Sequence, residues 1–356
     1  MIGRRIAYPE SATILALAGA LLGALAVGLT ALGNPASTGL CASCFLVNVA
    51  GALGFHARES QSYLRPEIPG IVLGAFFAAY SSREFRVRGG GSPVPHFIGG
   101  FFLLLGCEVF IGCPIKALLR TAGGGIAGAV GLAGLVAGVL AAALYLRDGF
   151  SLPAPKALPE GAGFVLPAAA FLLLFLASGG AEAFAAWTLP AGAHHAPFGA
   201  SAAAGLLFGV VGQRSRFCVT GSVRTAVLAR DFREAAGTGA FLLAAVGLNI
   251  SQGAFAPTLA LEPGAHTDLF WAFLALAMVG FGAILIAGCP FRQLVLASSG
   301  DMDAVAAVAG MLLAAGFSVR LGIGSSPAGV SAAGKIAVLL GCAYFLVLAA
   351  RKRKGE

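Results

Sequence analysis

Charged side chains are scarce in this chain. They make up 11% of its 356 residues, while 58% of the residues are hydrophobic and the mean hydropathy is +0.89. Soluble domains usually carry about 25% charged residues. The shortage of charge therefore excludes an ordinary soluble domain, and the long apolar runs predict an all-α, polytopic membrane protein.

The sequence also lacks several recognisable motifs. It contains no ATP-binding motif, no cofactor motif and no residue set arranged for acid–base catalysis, so we expect neither a cofactor nor an enzyme. His194 and His195 have no motif cysteine beside them, so we expect no metal site. The first apolar run, 11–32, is too long for a signal peptide and has no small-residue cleavage pattern, and we interpret it as the first span.

Ten apolar segments are predicted to cross the membrane, some of them short for that purpose. They lie near 11–32, 66–82, 94–112, 125–146, 162–178, 198–212, 235–252, 268–288, 302–318 and 331–350. We divide the chain into a first repeat over 1–161, a fifth span with a connecting loop over 162–197, and a second repeat over 198–356.

Four shorter stretches between these spans each contain cysteine. They cover about 36–55, 113–123, 214–230 and 289–299. All four are too short or too interrupted to cross. Irregular backbone at membrane depth is tolerated only where it is buried in protein or lines a cavity. We therefore predict four re-entrant half-helices around an internal pathway.

One phrase occurs twice, 176 residues apart. It reads Gly112-Cys113-Pro114-Ile115-Lys116 and then Gly288-Cys289-Pro290-Phe291-Arg292. This offset moves the third predicted span onto the eighth. Because a shift of five spans reverses direction across the membrane, the sequence predicts an inverted repeat of five plus five spans.

Lysine and arginine favour one orientation. With a cytoplasmic N-terminus, 17 of the 23 basic residues lie on the cytoplasmic side, and six lie outside: Arg58, Arg65, Lys116, Arg120, Arg320 and Lys335. The positive-inside rule therefore predicts cytoplasmic N- and C-termini. In this orientation the stretches with Cys41, Cys44 and Cys113 enter from outside, and those with Cys218 and Cys289 enter from the cytoplasm.

The two Cys-Pro pairs predict helix starts. Proline is favoured at the first position of a helix, so Cys113 and Cys289 are predicted N-caps. A half-helix that begins there directs free N–H groups and the positive end of its dipole into the interior, which suits an anion. Lys116 and Arg292 lie one turn along on the same face, and Arg120 follows Lys116 by four residues. These cations are candidate substrate contacts.

The stretch 213–224 places Cys218 among small hydroxyl residues, Arg216 and Arg224. A simpler interpretation is a cytoplasmic loop whose charge serves topology alone. Its counterpart around Cys41 lies 177 residues earlier and lacks flanking arginines. Two other residues, Cys107 and Cys342, have no partner motif, and we interpret them as ordinary buried apolar cysteines.

At these residues the chain resembles the YeeE/YedE family of membrane proteins for sulfur-compound uptake, most closely the YedE branch associated with selenium metabolism. The shared features are Gly-Asn-Pro before Cys41-x-x-Cys44-Phe45, Tyr63-Leu64-Arg65-Pro66-Glu67, Arg88-Gly89-Gly90, both Gly-Cys-Pro phrases and Arg-Ser-Arg-Phe-Cys218. Family members often carry Arg-Asp after the first Cys-x-x-Cys, where this chain has Val47-Asn48.

The resemblance implies a helical transporter in which cysteines of the re-entrant loops pass a thiosulfate-like ion across a thin central barrier. By motif, this role falls to Cys41, Cys113 and Cys289, and by repeat position to Cys218. We treat Cys44 as a further candidate.

We therefore expect a transporter of the bacterial inner membrane for a small oxyanion that contains sulfur or selenium. A polarizable thiol suits such an ion better than it suits phosphate. The lipid bilayer and a cytoplasmic sulfur or selenium carrier protein are the expected partners, and nucleic acid is not. Two alternatives stay open: a membrane thiol–disulfide oxidoreductase that uses Cys41 and Cys44, and a purely structural scaffold.

Overall fold

The computed structural model describes residues 11–178, 194–257 and 264–350. Its helices are α1 (Ala12–Ala31), α2 (Ala42–Ala52), α3 (Glu67–Ser81), α4 (Pro93–Phe110), α5 (Pro114–Ala122), α6 (Ile126–Arg147), α7 (Glu160–Gly163), α8 (Val165–Ser178), α9 (Phe198–Ser215), α10 (Val219–Ala229), α11 (Arg233–Ser251), α12 (Leu269–Leu285), α13 (Pro290–Ser298), α14 (Met302–Arg320) and α15 (Ala332–Ala350). A 3₁₀ turn covers Glu59–Gln61, and the short strands β1 (Arg88–Gly89) and β2 (Lys156–Ala157) pair antiparallel. The predicted all-α architecture is confirmed.

Within the described residues, eight helical segments are long and apolar enough to cross a membrane, as expected of a multi-pass membrane protein. They are Ala12–Ala31, Pro93–Ala122, Ile126–Arg147, Glu160–Ser178, Arg233–Ser251, Leu269–Ser298, Met302–Arg320 and Ala332–Ala350. Large apolar side chains such as Leu17, Leu243 and Phe270 are exposed on them. In water these surfaces would favour aggregation, whereas lipid covers them without penalty. The predicted basic termini lie outside the described residues, as does most of the loop 179–197.

The prediction of ten spans is not supported. The predicted span 66–82 is α3, whose 15 residues extend about 22 Å, less than the roughly 30 Å of hydrocarbon in a bilayer. The predicted span 198–212 is α9, which has 18 residues. Its sequence is rich in Gly, Ala and Ser and includes Gln213 and Arg214 near its C-terminal end, so its mean hydropathy is too low for a membrane span. These two helices pack closely on each other.

The long helices pack in pairs whose backbones approach through glycine. Between α6 and α12, a Cβ added at Gly134 would stand 2.1 Å from the carbonyl oxygen of Phe273. Between α14 and α4, a Cβ at Gly310 would stand 2.0 Å from the carbonyl oxygen of Phe97. Because Gly310 and Phe273 follow Gly134 and Phe97 by 176 residues, the two contacts correspond under the sequence offset.

Four short helices stand where the four short stretches were predicted. The helices α2, α5, α10 and α13 have 9 to 11 residues, and each begins directly after a cysteine: Cys41, Cys113, Cys218 or Cys289. The predicted N-cap positions of Cys113 and Cys289 are therefore confirmed. All four cysteines are buried. The short helices thus start inside the protein rather than at its surface.

The glycine contacts generate the first prediction. We expect Gly134→Ala and Gly310→Ala each to lower the melting temperature in detergent by several degrees, because the added methyl group overlaps a facing carbonyl and overpacking costs about 1–3 kcal/mol. Gly247→Ala in α11 is the matched control, since nothing lies within 4 Å of its added Cβ. It should be neutral or stabilising, because alanine favours a helix over glycine by about 1 kcal/mol. Equal shifts in all three variants would contradict the proposed close packing.

Candidate functional site

The first two cysteine-capped helices meet at the sulfur of Cys41. This Sγ accepts a hydrogen bond from the backbone N–H of Cys44, in its own helix, at 3.3 Å, and one from the N–H of Cys113, the N-cap of α5, at 3.5 Å. The hydroxyl oxygen of Ser43 lies 3.4 Å away. The sulfur therefore sits between the N-termini of α2 and α5, where the positive ends of two helix dipoles converge.

The other two cysteine-capped helices repeat this arrangement. The Sγ of Cys218 accepts a hydrogen bond from the N–H of Gly221 at 3.3 Å and lies 3.2 Å from the hydroxyl oxygen of Thr220. It also lies 3.9 Å from the Sγ of Cys289, the N-cap of α13. The sequence alone did not reveal which cysteines pair, and the structure brings together Cys41 with Cys113 and Cys218 with Cys289.

The glycine of each Gly-Cys-Pro phrase makes room for the basic side chain that follows. A Cβ added at Gly112 would stand 2.6 Å from Cδ of Lys116, and one added at Gly288 would stand 2.8 Å from Cγ of Arg292. Any larger residue would displace the aliphatic stem of that cation. The phrase thus combines a helix cap, a helix-starting proline and a cation folded back over the helix start.

One cavity, the Lys116 cavity, opens beside the first cysteine pair. It has a volume of about 290 Å³, and its lining includes Cys44, Arg65, Glu108 and Lys116. The ammonium nitrogen of Lys116 lies 4.0 Å from the Sγ of Cys44. Arg65 is buried between the rings of Phe45 and Tyr63 at 4.7 and 4.8 Å. This cavity therefore presents cations next to a thiol.

A second cavity, the Arg292 cavity, opens beside the second pair. It has a volume of about 240 Å³ and reaches Cys218. Four arginines line it: Arg88, Arg216, Arg224 and Arg292. Two carboxylates also line it, but both are engaged. Asp301 pairs with Arg88 at 3.3 Å and caps α14, while Glu234 accepts a hydrogen bond from Thr225 at 3.1 Å. The cavity is thus predominantly positive. Arg216 and Arg224 line it, and their predicted contact with substrate stays a prediction.

Three cysteines of the two pairs line neither cavity. Cys41 and Cys113 are fully buried and Cys289 is 1% exposed, whereas Cys44 and Cys218 line the cavities. Cys107 is also fully buried, and it lies close enough to interact electrostatically with Cys41 and Cys289. All seven cysteines are free thiols. The predicted burial of Cys107 is confirmed, whereas its proximity to Cys41 and Cys289 was not predicted, because no local motif marks this residue.

Arg120 contacts the backbone rather than either cavity. Its guanidinium donates to the carbonyl oxygens of Phe110 at 2.9 Å and Ile111 at 3.0 Å, and also to that of Gly264. Nearby, the Nε2 of His266 donates to the carbonyl oxygen of Val109 at 2.9 Å, and burial lowers the pKa of this imidazole. These donors satisfy carbonyl groups freed where α4 ends. The predicted contact of Arg120 with substrate stays a prediction.

The corresponding break after α12 is satisfied by a different residue. The amide nitrogen of Gln293 donates to the carbonyl oxygens of Ile286 and Gly288. In both breaks the chain reverses through a residue in the left-handed region, Ile111 with φ 60° and Ala287 with φ 68°. The two breaks therefore share a backbone path although their polar partners differ.

Several charged residues that line the cavities were not among the predicted site residues, and Arg65 and Glu108 of the Lys116 cavity are two of them. Arg65 donates to Asn34 at 2.8 Å and pairs with Glu67 at 3.8 Å, so the signal for it was the Arg65-Pro66-Glu67 phrase next to the first cysteines. Glu108 follows Cys107 in the last turn of α4. The signal for Glu108 was an acidic residue inside an apolar span, which marks a functional position by default. In the part of the chain that the structure describes, no cluster of His, Cys, Asp and Glu could hold a metal ion.

Compared with protein-family models and with curated protein sequences, the chain shows no significant match.

The different surroundings of Arg120 and Lys116 generate the second prediction. We expect Arg120→Gln to lower the melting temperature strongly, because each buried hydrogen bond to a charged group contributes about 1.5–3 kcal/mol. Lys116→Gln should change the melting temperature little, because the ammonium group faces a cavity. The measurement is thermal unfolding of both purified variants in the same detergent. A larger loss in Lys116→Gln would show that the structural role belongs to the lysine.

Proposed function

We propose that this protein is a bacterial inner-membrane transporter of the YeeE/YedE type for a small oxyanion that contains sulfur or selenium. The observation that carries the proposal is the pair of cation-lined cavities, each of which reaches a cysteine beside a buried cysteine pair on helix N-termini. The Lys116 cavity reaches Cys44, whose N–H donates to Cys41, and the Arg292 cavity reaches Cys218. A cytoplasmic sulfur or selenium carrier protein is the proposed acceptor. The helices of the polytopic fold would enclose a single anion pathway.

The charges of the two cavities support mouths on opposite sides of the membrane. Every arginine that lines the Arg292 cavity belongs to the cytoplasmic set predicted from the positive-inside rule. The two cations of the Lys116 cavity, Arg65 and Lys116, belong to the external set. We therefore propose that the Lys116 cavity opens outside and the Arg292 cavity opens to the cytoplasm, with cytoplasmic chain termini.

Equivalent positions in the two cavities support an inverted repeat. Five lining residues of one cavity correspond to lining residues of the other at an offset of 176 or 177: Cys44 to Gly221, Val47 to Arg224, Glu108 to Ile284, Ile111 to Ala287 and Lys116 to Arg292. The corresponding glycine contacts of the long helices point the same way. We propose that α3 and α9 also cross the membrane, as a pair of helices packed on each other, so that the shift between the halves stays at five crossings. In this proposal α1–α8 and α9–α15 are the two inverted halves, and α2, α5, α10 and α13 are re-entrant.

The chemistry of the path suits a soft anion. A bare dianion in hydrocarbon costs tens of kcal/mol by the Born estimate, so a route needs cations or helix N-termini near both mouths and a short dry gap between them. Lys116 and Arg292 supply the cations, and the N-termini capped by Cys41 and Cys218 supply oriented N–H groups. A thiol is large, polarizable and only a weak hydrogen-bonding group, so it contacts a sulfur- or selenium-bearing ion without holding it tightly.

A thiol–disulfide oxidoreductase is the second candidate, and one observation favours it. Cys41 and Cys44 are adjacent at a helix N-terminus, and Cys44 faces a cavity that contains Lys116. Such surroundings are typical of redox-active Cys-x-x-Cys motifs. Against it, the position of Cys44 corresponds to Gly221 in the second half, so the repeated feature is the single N-cap thiol.

The third prediction tests transport directly. Proteoliposomes are given radiolabelled thiosulfate, selenite or sulfate, and we expect uptake of thiosulfate or selenite but not of sulfate. Cys113→Ala and Cys289→Ala should each reduce uptake at least about tenfold while protein yield and melting temperature stay near those of the wild type, because a small thiol contributes little packing. Cys342→Ala is the matched control, since this partly exposed cysteine lies in α15 away from both pairs. Full uptake by both pathway variants would refute the cysteine path.

The fourth prediction separates the transporter from the oxidoreductase. A redox cycle needs a Cys41–Cys44 disulfide, so Cys44→Ser would be as damaging as Cys41→Ser. The transport path needs the N-cap sulfur of Cys41, and we expect Cys41→Ser to lose most uptake and Cys44→Ser to keep much of it. The assay uses proteoliposomes without quinone or external oxidant. Equal loss in both variants, with recovery of the wild type only when an electron acceptor is added, would favour the enzyme.

A further inference from the structure

Glu108 is a carboxylate inside an apolar span that the proposed anion path does not explain. It lies in the last turn of α4, and its side chain lines the Lys116 cavity. No described residue forms an ion pair with it within 4 Å. The carboxylates of the Arg292 cavity differ, because Asp301 pairs with Arg88 and Glu234 is hydrogen-bonded to Thr225.

The groups that face Glu108 come from several elements. Lys116 on α5 and Arg58 in the segment after α2 act on it electrostatically, and Ser318 approaches it from α14. The thiols of Cys41, Cys44 and Cys107 also interact with it electrostatically. Arg65 and Tyr63 line the same cavity. The cations stand at a distance, and none of the described residues is a fixed counter-ion for Glu108.

Two histidines lie nearby and could in principle titrate instead. His56 contacts the carbonyl oxygen of Val47 through Nε2 at 3.0 Å, and His266 contacts that of Val109 at 2.9 Å. Burial lowers the pKa of both imidazoles, which favours their neutral form. Each already uses its donor on a backbone carbonyl. The acidic group that faces the cavity is therefore Glu108.

We propose that Glu108 is a proton-binding site that couples proton movement to anion movement. This inference rests on the proposed transport function. An anion beside Lys116 repels an ionised Glu108 and therefore favours its protonated form. By linkage, a proton on Glu108 strengthens anion binding by the same factor. Anion affinity is therefore high at low pH and falls as the pH rises through the titration of Glu108.

The other half of the protein makes the coupling one-sided. The residue 176 positions after Glu108 is Ile284, which lines the Arg292 cavity and cannot titrate. A proton that enters with the anion at the Lys116 cavity therefore finds no equivalent carboxylate at the corresponding position of the Arg292 cavity. Arg224 stands there where the Lys116 cavity has Val47. The second cavity thus attracts the anion without a proton, which favours release of the proton after passage.

The test uses proteoliposomes whose membrane potential is clamped with potassium and valinomycin. With acid outside and equal thiosulfate on both sides, we expect the wild type to accumulate thiosulfate above equilibrium. Glu108→Gln should only equilibrate thiosulfate, at the same rate with or without the pH difference. The matched control is Glu59→Gln, an exposed carboxylate of the 3₁₀ turn, which should behave as the wild type. Because proton and anion move together, a mixed orientation of the protein in the liposomes does not change the direction of thiosulfate accumulation.

If Glu108→Gln does not transport, a binding measurement tests the inference instead. In detergent, a pH indicator should record proton uptake when thiosulfate is added to the wild type and to Glu108→Asp, and none with Glu108→Gln. The thiosulfate concentration for half-saturation of the wild type should rise about fivefold or more from pH 6 to pH 8 and stay constant in Glu108→Gln.

Several results would overturn the inference. Acid-driven accumulation by Glu108→Gln would do so, and so would wild-type transport that is indifferent to the pH difference. Failure of the wild type to transport thiosulfate or selenite under any gradient would overturn the proposed function itself. The two failures are therefore distinguishable.

Discussion

The structure depends on one constraint, which is that a helix interrupted inside the membrane must find partners for its free backbone groups. Each unpaired N–H or C=O in hydrocarbon costs several kcal/mol. After α4 the partners are Arg120 and His266, and after α12 the partner is Gln293. Because these side chains satisfy the carbonyl ends, the chain can turn back and begin α5 and α13 inside the protein. The cavities and the cysteine pairs exist only because these breaks are stable.

The two halves share a backbone plan but differ in charge. The same left-handed turn, glycine and N-cap cysteine recur at both Gly-Cys-Pro phrases, which supports the proposed inverted repeat. The lining residues of the two cavities differ in charge at two corresponding positions. Val47 and Glu108 in the Lys116 cavity correspond to Arg224 and Ile284 in the Arg292 cavity. In the proposed transporter, one weakly and one strongly positive mouth would bias an anion toward the strongly positive side.

Much of the site was predictable because its geometry is local. Proline after cysteine identifies a helix start, and spacing places Lys116 and Arg292 one turn beyond it. The pairing of Cys41 with Cys113, 72 residues apart, was not predictable, since sequence spacing carries no information on which helix ends meet in space. The role of Arg120 was also not predictable from spacing. It follows Lys116 by four residues, as a second substrate contact would, but its guanidinium donates hydrogen bonds to backbone carbonyls. The prediction of spans at α3 and α9 is not supported, because α3 is too short and α9 too polar to cross lipid alone. The two helices pack on each other, a contact that the sequence does not reveal.

Cysteine at the N-cap is chemically informative because it is a poor choice for stability. Serine, threonine, aspartate and asparagine are the residues that stabilise a helix start, through an oxygen that accepts strongly. The sulfur of Cys41 accepts two long hydrogen bonds of 3.3 and 3.5 Å, and Cys113 and Cys289 cap nothing with their side chains. An oxygen cap would compete with a visiting anion for the same N–H groups. A sulfur cap holds them loosely, so an anion can replace it and then leave, which is the balance that passage through a site requires.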